Sequence, residues 1–184
     1  MGFHTFDVGR AEMLEDEGRY RYVSVDELLA LFDPSDGDTV ADFGSGTGFY
    51  TDDVAPYVGT VHAVDVQAEM HEFYREKGAP ENVEFVTAEV ADLPFADASL
   101  DGAFSTMTFH EFATDESMAE VARVLAPGGR FGVADWSANG RGEAGPPRDE
   151  RYDLAAAEEM AETAGFAVEY GRERRETFVV SLRR

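Results

Sequence analysis

Three glycines alternate in the stretch VADFGSGTGFYT, at Gly44, Gly46 and Gly48, after a short apolar run and before a helix-like segment. Glycine lets a turn adopt left-handed backbone angles and lets a ligand approach closely, and a following helix offers free N–H groups to an anion. Asp65 closes the next strand-like run, 21 residues after Gly44. A carboxylate there can accept hydrogen bonds from both hydroxyls of a ribose, so the pair points to a nucleoside-bearing cofactor. Which cofactor depends on what the turn lacks. A dinucleotide fingerprint, G-x-G-x-x-G, needs its third glycine at position 49, which is Phe49. A P-loop needs a Lys-Ser or Lys-Thr pair, and the chain contains neither. The nucleophile elbow G-x-S-x-G is also missing. HEFAT, from His110, begins like the zinc motif H-E-x-x-H, but Thr114 stands where the second histidine belongs. With His4, His62 and His71 scattered and no cysteine anywhere, no metal site and no disulfide is expected.

These residues need a scaffold, and the hydrophobic pattern supplies one. TVADF, GTVHAVDV, NVEFVTA, LDGAFSTM and GRFGVADW read as strands, and all but the third lead into helix-like segments. NVEFVTA runs instead into the turn-rich EVADLPFADAS. Such alternation predicts a parallel sheet covered by helices on both faces. FAVEYGRER and ETFVVSLRR have no helix between them and should pair as an antiparallel hairpin. Ahead of the first strand, Ser24 is placed to cap a helix through SVDELLALFD, with Glu27 at the capping-box position. Residues 1–23 read as an N-terminal arm holding a short helix in RAEMLEDEGRYRY, and the Gly- and Pro-rich loop 137–150 as a lid-like or connecting segment. Asp101 reads as a strand-start structural residue, and the APGG before the fifth strand as a turn without chemistry.

The 184 residues are expected to form one domain with a substantial core. No stretch approaches the roughly 20 apolar residues of a membrane span. The opening residues show neither a secretory signal nor a myristoylation pattern, so a cytoplasmic protein without membrane insertion is expected. Its balance of 15 basic to 38 acidic residues gives a net charge of −23, and Lys77 is the only lysine. Acidic residues spread over helix-like segments resemble the composition of proteins from salt-loving archaea. At molar salt the Debye length falls to about 3 Å, which screens that self-repulsion. An acidic surface lacks the footprint that neutralises phosphates, so duplex nucleic acid is not expected as a partner.

Four segments carry a family resemblance. VADFGSGTG resembles the first motif of class I S-adenosylmethionine-dependent methyltransferases, and HAVDV resembles their acidic second-strand end. AEVADLPFADASLD resembles their adenine-loop and fourth-strand motif, and RVLAPGGRFGVADW the helix-turn-strand that carries strand five. They occur in family order across residues 40–136. The nearest subset is the small methyltransferases of the ubiquinone/menaquinone-biosynthesis type. The resemblance implies a Rossmann-like α/β fold, a doubly wound sheet of seven strands in the order 3-2-1-4-5-7-6 with strand 7 antiparallel. It implies S-adenosyl-L-methionine as cofactor, with Gly44, Ser45, Gly46, Thr47 and Gly48 along its methionine moiety and Asp42 ordering the turn. Asp65 would take the ribose hydroxyls, and Val66 would pack on the adenine. Glu89, where the family usually has aspartate, would accept the adenine amino group beside the Val90 N–H. Ser105 would offer its carbonyl to the ammonium group.

Methyl transfer from a sulfonium is an in-line displacement, so acceptor-side residues should come from the ends of strands four and five, the loop and the arm. His110 and Glu111 in STMTFHEF are the leading general-base candidates, followed by Asp135 with Trp136. Tyr20 and Tyr22 are placed to close over the site. The plain alternatives are that His110 only caps the following helix, and that Asp42 and Asp135 only satisfy loop amides. The reading is methyl transfer to a small-molecule acceptor by a monomer or homodimer. The competing ones are a non-catalytic S-adenosylmethionine-binding protein, a methyltransferase acting on protein or RNA, and a nicotinamide-dependent oxidoreductase, which Phe49 opposes.

Overall fold

The structure is a computed structural model that describes residues 6–184; the first five residues of the arm, His4 among them, lie outside the described residues. Ser24 opens α1 (Val25–Phe32) as expected, its hydroxyl accepting the Glu27 N–H at 3.3 Å. The Glu27 carboxylate pairs with Arg174 at 3.1 Å instead of closing a capping box. The chain continues through β1 (Thr39–Phe43), α2 (Phe49–Val54), β2 (Thr60–Asp65), α3 (Ala68–Lys77), β3 (Val83–Thr87) and β4 (Leu100–Thr106). There follow α4 (Phe109–Phe112), α5 (Asp115–Val124), β5 (Leu125–Trp136), α6 (Leu154–Thr163), β6 (Ala167–Glu173) and β7 (Thr177–Arg183).

All seven strands form one sheet in the order β3-β2-β1-β4-β5-β7-β6, with β7 antiparallel to both of its neighbours. This is the order the family resemblance implied. Alternate side chains of the central strands enter opposite cores, as the two-residue period of a strand requires. Val40, Phe104 and Val179 pack with Leu28, Phe32, Tyr50 and Val54 on the face covered by α1, α2 and α3. Ala41, Phe43, Phe131 and Phe178 pack with Met118, Val121 and Ala161 on the face covered by α5 and α6. Asp101 does hold the start of the sheet, accepting the Thr39 N–H at 2.9 Å. β5 begins four residues earlier than GRFGVADW suggests and takes the APGG segment into a strand whose register shifts opposite Leu100 and Gly102.

The short helix expected in the arm takes the form of two 3-10 segments, Val8–Glu15 and Glu17–Arg21. Asp7 and Asp16 each accept the amide two residues on, from Gly9 at 3.0 Å and Gly18 at 2.8 Å. These local bonds compete with an α-helical ladder and restart the chain at Asp16. The loop 137–150 is pinned rather than a loose connector. The buried Arg151 donates to Pro146 O at 2.8 Å, Arg148 donates to Ala138 O at 2.8 Å, and Gly142 N donates to Glu176 at 3.0 Å.

Candidate functional site

The chain leaves β1 toward β2 on one side while β4 lies on the other, so the strand order reverses there and a crevice opens beyond their carboxyl ends. A cavity of about 1000 Å³ occupies it. The glycine turn forms its floor, with Gly44, Gly46 and Gly48 at φ of 77°, 53° and 79°. The turn is largely self-satisfied. Gly44 N and Ser45 N donate to Val64 O at 2.9 and 3.0 Å, and Gly48 N to Ser45 O at 2.9 Å. Asp65 clasps it from β2, accepting Gly46 N at 2.8 Å on one oxygen and Gln67 N at 2.9 Å on the other.

Gly44, Ser45 and Gly46 line the cavity, whereas Thr47 and Gly48 do not. Thr47 is buried with its hydroxyl donated to Glu15, and a Cβ on Gly48 would lie 2.0 Å from the Tyr74 ring. Asp42 is also buried beneath the floor. Instead of binding turn amides it accepts the Thr51 hydroxyl at 2.6 Å from α2, and its other oxygen has no partner among the described residues. Burial raises the Asp42 carboxyl to about 7; the Asp65 charge adds to this, while Thr51 and Arg19 oppose it.

Val66, Glu89 and Val90 line one end of the cavity with Met70, and Val66 leaves 46% of its surface exposed there. Ser105 does not reach the cavity. It is fully buried inside β4 with its hydroxyl donated to Phe43 O at 2.8 Å, and the strand end is open at Thr106 and Met107 instead. Met107 takes φ 61°, a left-handed angle unusual for a non-glycine residue and a sign of stored strain.

At the other end the structure joins three residues that the sequence proposed separately. Both oxygens of the fully buried Asp135 lie 2.9–3.0 Å from His110 Nδ1, and one also accepts the His110 backbone N–H at 2.7 Å. Asp135 thus bonds a backbone amide in α4 and orients the ring as well. A carboxylate only accepts, so Nδ1 carries the proton, and in the neutral ring Nε2 is left with a lone pair. Nε2 lies 3.9 Å from the Glu111 carboxylate. Burial disfavours the charged form of His110, but the charge and hydrogen bond of Asp135, with Glu111, outweigh it and raise its pKa. Burial likewise lifts Glu111 to about 7, an effect that the His110 charge opposes. His110 and Glu111 both line the cavity; Asp135 acts from behind the ring.

The arm roofs the cavity. Of the two tyrosines expected to close over it, Tyr22 lines the wall and packs on Trp136 with ring centroids 4.6 Å apart. Tyr20 is instead anchored on α2, donating to Asp53 at 2.7 Å and packing on Phe49. Leu14, Arg19 and Phe112 also face the cavity and were missed in the sequence. Leu14 and Arg19 sit in an arm without usable periodicity, so nothing local marked them. Gly145 and Pro146 bring the loop to the same wall.

Fold and site together define a doubly wound α/β protein with a nucleoside-type crevice at the reversal of strand order. The chain matches the methyltransferase-domain family over residues 41–133, half of its length, and it belongs to that family. A crystal structure of an S-adenosylmethionine-dependent methyltransferase from Aquifex aeolicus superposes with a TM-score of 0.88 at 31% identity, covering 97% of this chain and 99% of that one. Among curated proteins, a biotin biosynthesis bifunctional protein of Cellvibrio japonicus is 38% identical over 114 residues, 61% of this chain and 22% of that protein. A demethylmenaquinone methyltransferase of Corynebacterium kroppenstedtii is 33% identical over 106 residues, 57% of this chain and 44% of the relative. The chain therefore spans less than half the length of these curated relatives. Among the described residues no helix is long and apolar enough to cross a membrane.

Proposed function

We propose that the chain transfers a methyl group from S-adenosylmethionine to a small-molecule acceptor. One observation carries this reading: a single cavity holds the Asp65-clasped glycine turn at one side and the Asp135-oriented His110 at another. The residues fit the cofactor. Ser45 Oγ is buried at the cavity wall without a partner among the described residues, and Val66 offers an exposed apolar surface to a purine. Asp65 spends one lone pair of each oxygen on Gly46 and Gln67, which leaves one on each for the two ribose hydroxyls. Glu89 and Val90 line the end of the cavity where the base would lie, and Thr106 and Met107, which line it at the β4 end, would take the place of Ser105 toward the ammonium group. When bound, S-adenosylmethionine supplies an electrophilic methyl group on a sulfonium. His110 Nε2 takes the acceptor's proton, while Asp135 holds the ring in the tautomer that can do so.

The roof of arm and loop supports a small acceptor, and the aromatic wall of Tyr22, Phe112 and Trp136 suits a flat ring system. The surface charge supports a protein adapted to molar salt. Calorimetric titration of S-adenosylmethionine and S-adenosylhomocysteine in molar KCl tests the cofactor half of the reading. Micromolar binding that disappears in Asp65→Ala is expected; a folded wild-type protein that binds neither ligand overturns it. With a turnover-competent acceptor, His110→Ala should lower kcat by about a hundredfold or more with bound cofactor unchanged.

A further inference from the structure

The methionine end of the cofactor carries a carboxylate, and in this chain the expected receiver for it is already in use. Four amides of the glycine turn, those of Gly44, Ser45, Gly46 and Gly48, are bonded within the protein, and the Thr47 hydroxyl is given to Glu15. The helix that follows, α2, is only six residues long. The cavity wall is moreover rich in acids: Asp65, Glu89, Glu111, Glu116 and Glu150 all face it, so an arriving carboxylate meets repulsion unless a cation stands near the turn.

Arg19 is that cation. Its guanidinium lies over the rings of Phe49 and Tyr50, the first residues after the turn, at 4.9 and 5.2 Å. It donates to Leu14 O at 2.7 Å, and the Leu14 side chain in turn lies 3.4 Å from where a Cβ on Gly46 would stand. Tyr50 fixes the backbone from the other side by donating to Arg19 O at 3.1 Å. Arg19 thus faces the cavity beside the turn, held on both flanks. Among the described residues one of its five donors has a partner, and no carboxylate stands within ion-pair distance of it. Asp42 beneath the floor and Glu15 of the arm act on its charge without pairing with it; a part-buried guanidinium with no directly paired carboxylate is completed by an anion, and its planar fork matches a carboxylate. Arg10, the other arginine on this wall, already donates through Nε to the Met13 sulfur at 3.4 Å and is not tied to the turn in this way.

We propose that Arg19 is the counter-ion of the cofactor's methionine carboxylate, so that the arm completes the cofactor site as well as roofing it. This rests on the S-adenosylmethionine reading above. The test compares S-adenosylhomocysteine with decarboxylated S-adenosylhomocysteine, which keeps the amine and lacks only the carboxylate. Both are titrated calorimetrically into the full chain as wild type, Arg19→Gln, Arg19→Lys and Arg10→Gln. The wild type should prefer the carboxylated ligand. Arg19→Gln should weaken that ligand by about tenfold or more and leave the decarboxylated one within about twofold, with partial retention in Arg19→Lys. Retained affinity for the decarboxylated ligand shows that the variant's site is folded. An unchanged preference in Arg19→Gln overturns the proposal. So does equal weakening of both ligands, which would make Arg19 a prop for the arm, and so does loss of the preference in Arg10→Gln instead. If neither ligand binds the wild type, the cofactor reading itself falls, and the role of Arg19 with it.

Discussion

His110 owes its proposed role to what stands behind it. Asp135 lies within 3.0 Å of Nδ1 on both oxygens and raises the histidine pKa against the effect of burial. An NMR titration should place the His110 midpoint above the ordinary histidine value, and Asp135→Asn should move it down. The carboxyls of Asp42 and Glu111, each lifted to about 7 by burial, bind more protons in the folded state than in the unfolded one. Stability therefore falls as pH rises from about 4 to about 7 for these two groups. His110 acts in the same direction: its contribution is present below the unfolded pKa and lost as pH passes the raised folded one. Melting temperature should thus fall from mildly acidic to mildly alkaline pH, and Asp42→Asn should flatten the slope. The glycines of the turn separate by what surrounds them. Gly48→Ala adds a clash with the Tyr74 ring to an unfavourable φ and should destabilise by about 2 kcal/mol or more. Gly46→Ala carries the φ penalty with only a 3.4 Å contact to Leu14 and should cost about 1 kcal/mol.

Between elements, the only lysine is spent on attaching the arm. Lys77 at the end of α3 pairs with Asp52 of α2 at 2.8 Å and with Glu15 of the arm at 3.1 Å, and the same Glu15 accepts from Thr47 in the glycine turn. Partly exposed pairs of this kind contribute up to about 1 kcal/mol, too little to decide global stability but enough to hold a short segment. Lys77→Gln should leave the melting temperature nearly unchanged. It should speed amide exchange across Val8–Arg21 and weaken cofactor binding modestly; unchanged exchange in that segment would remove Lys77 from any role in seating the arm.

Over the whole molecule, a charge of −23 on 184 residues sets the solution behaviour. Screening at molar salt relieves most of the mutual repulsion of an acidic surface, so thermal stability should rise steeply with KCl and collapse on dialysis into dilute buffer. A melting temperature independent of salt would argue against the salt-adapted reading. The cavity responds differently, because Asp135, His110 and Asp42 are buried and little screened; the His110 midpoint should move little with salt once the protein is folded.

The strands were legible in the chain from apolar stretches such as TVADF and GRFGVADW and from the helix-free terminal hairpin, and their order from the family resemblance that the glycine turn and Asp65 help to carry. Local pattern also sufficed for the Ser24 cap and for the cavity-facing Gly44 and Asp65, whereas Val66 and Glu89 came from the family resemblance. Pattern alone could not place a strand residue relative to the cavity: Ser105, whose carbonyl was expected at the cofactor, and Asp42, expected to order the turn, are both buried and outside the cavity lining. Nor could it assemble contacts across distant parts of the chain. His110 and Asp135 are 25 residues apart and meet only because β4 and β5 are neighbours. Arg19 reaches the glycine turn only because the arm folds back over α2. Periodicity is a property of neighbouring residues, whereas a charge loses or gains its partner by what the fold brings beside it, and that was decided by the tertiary structure.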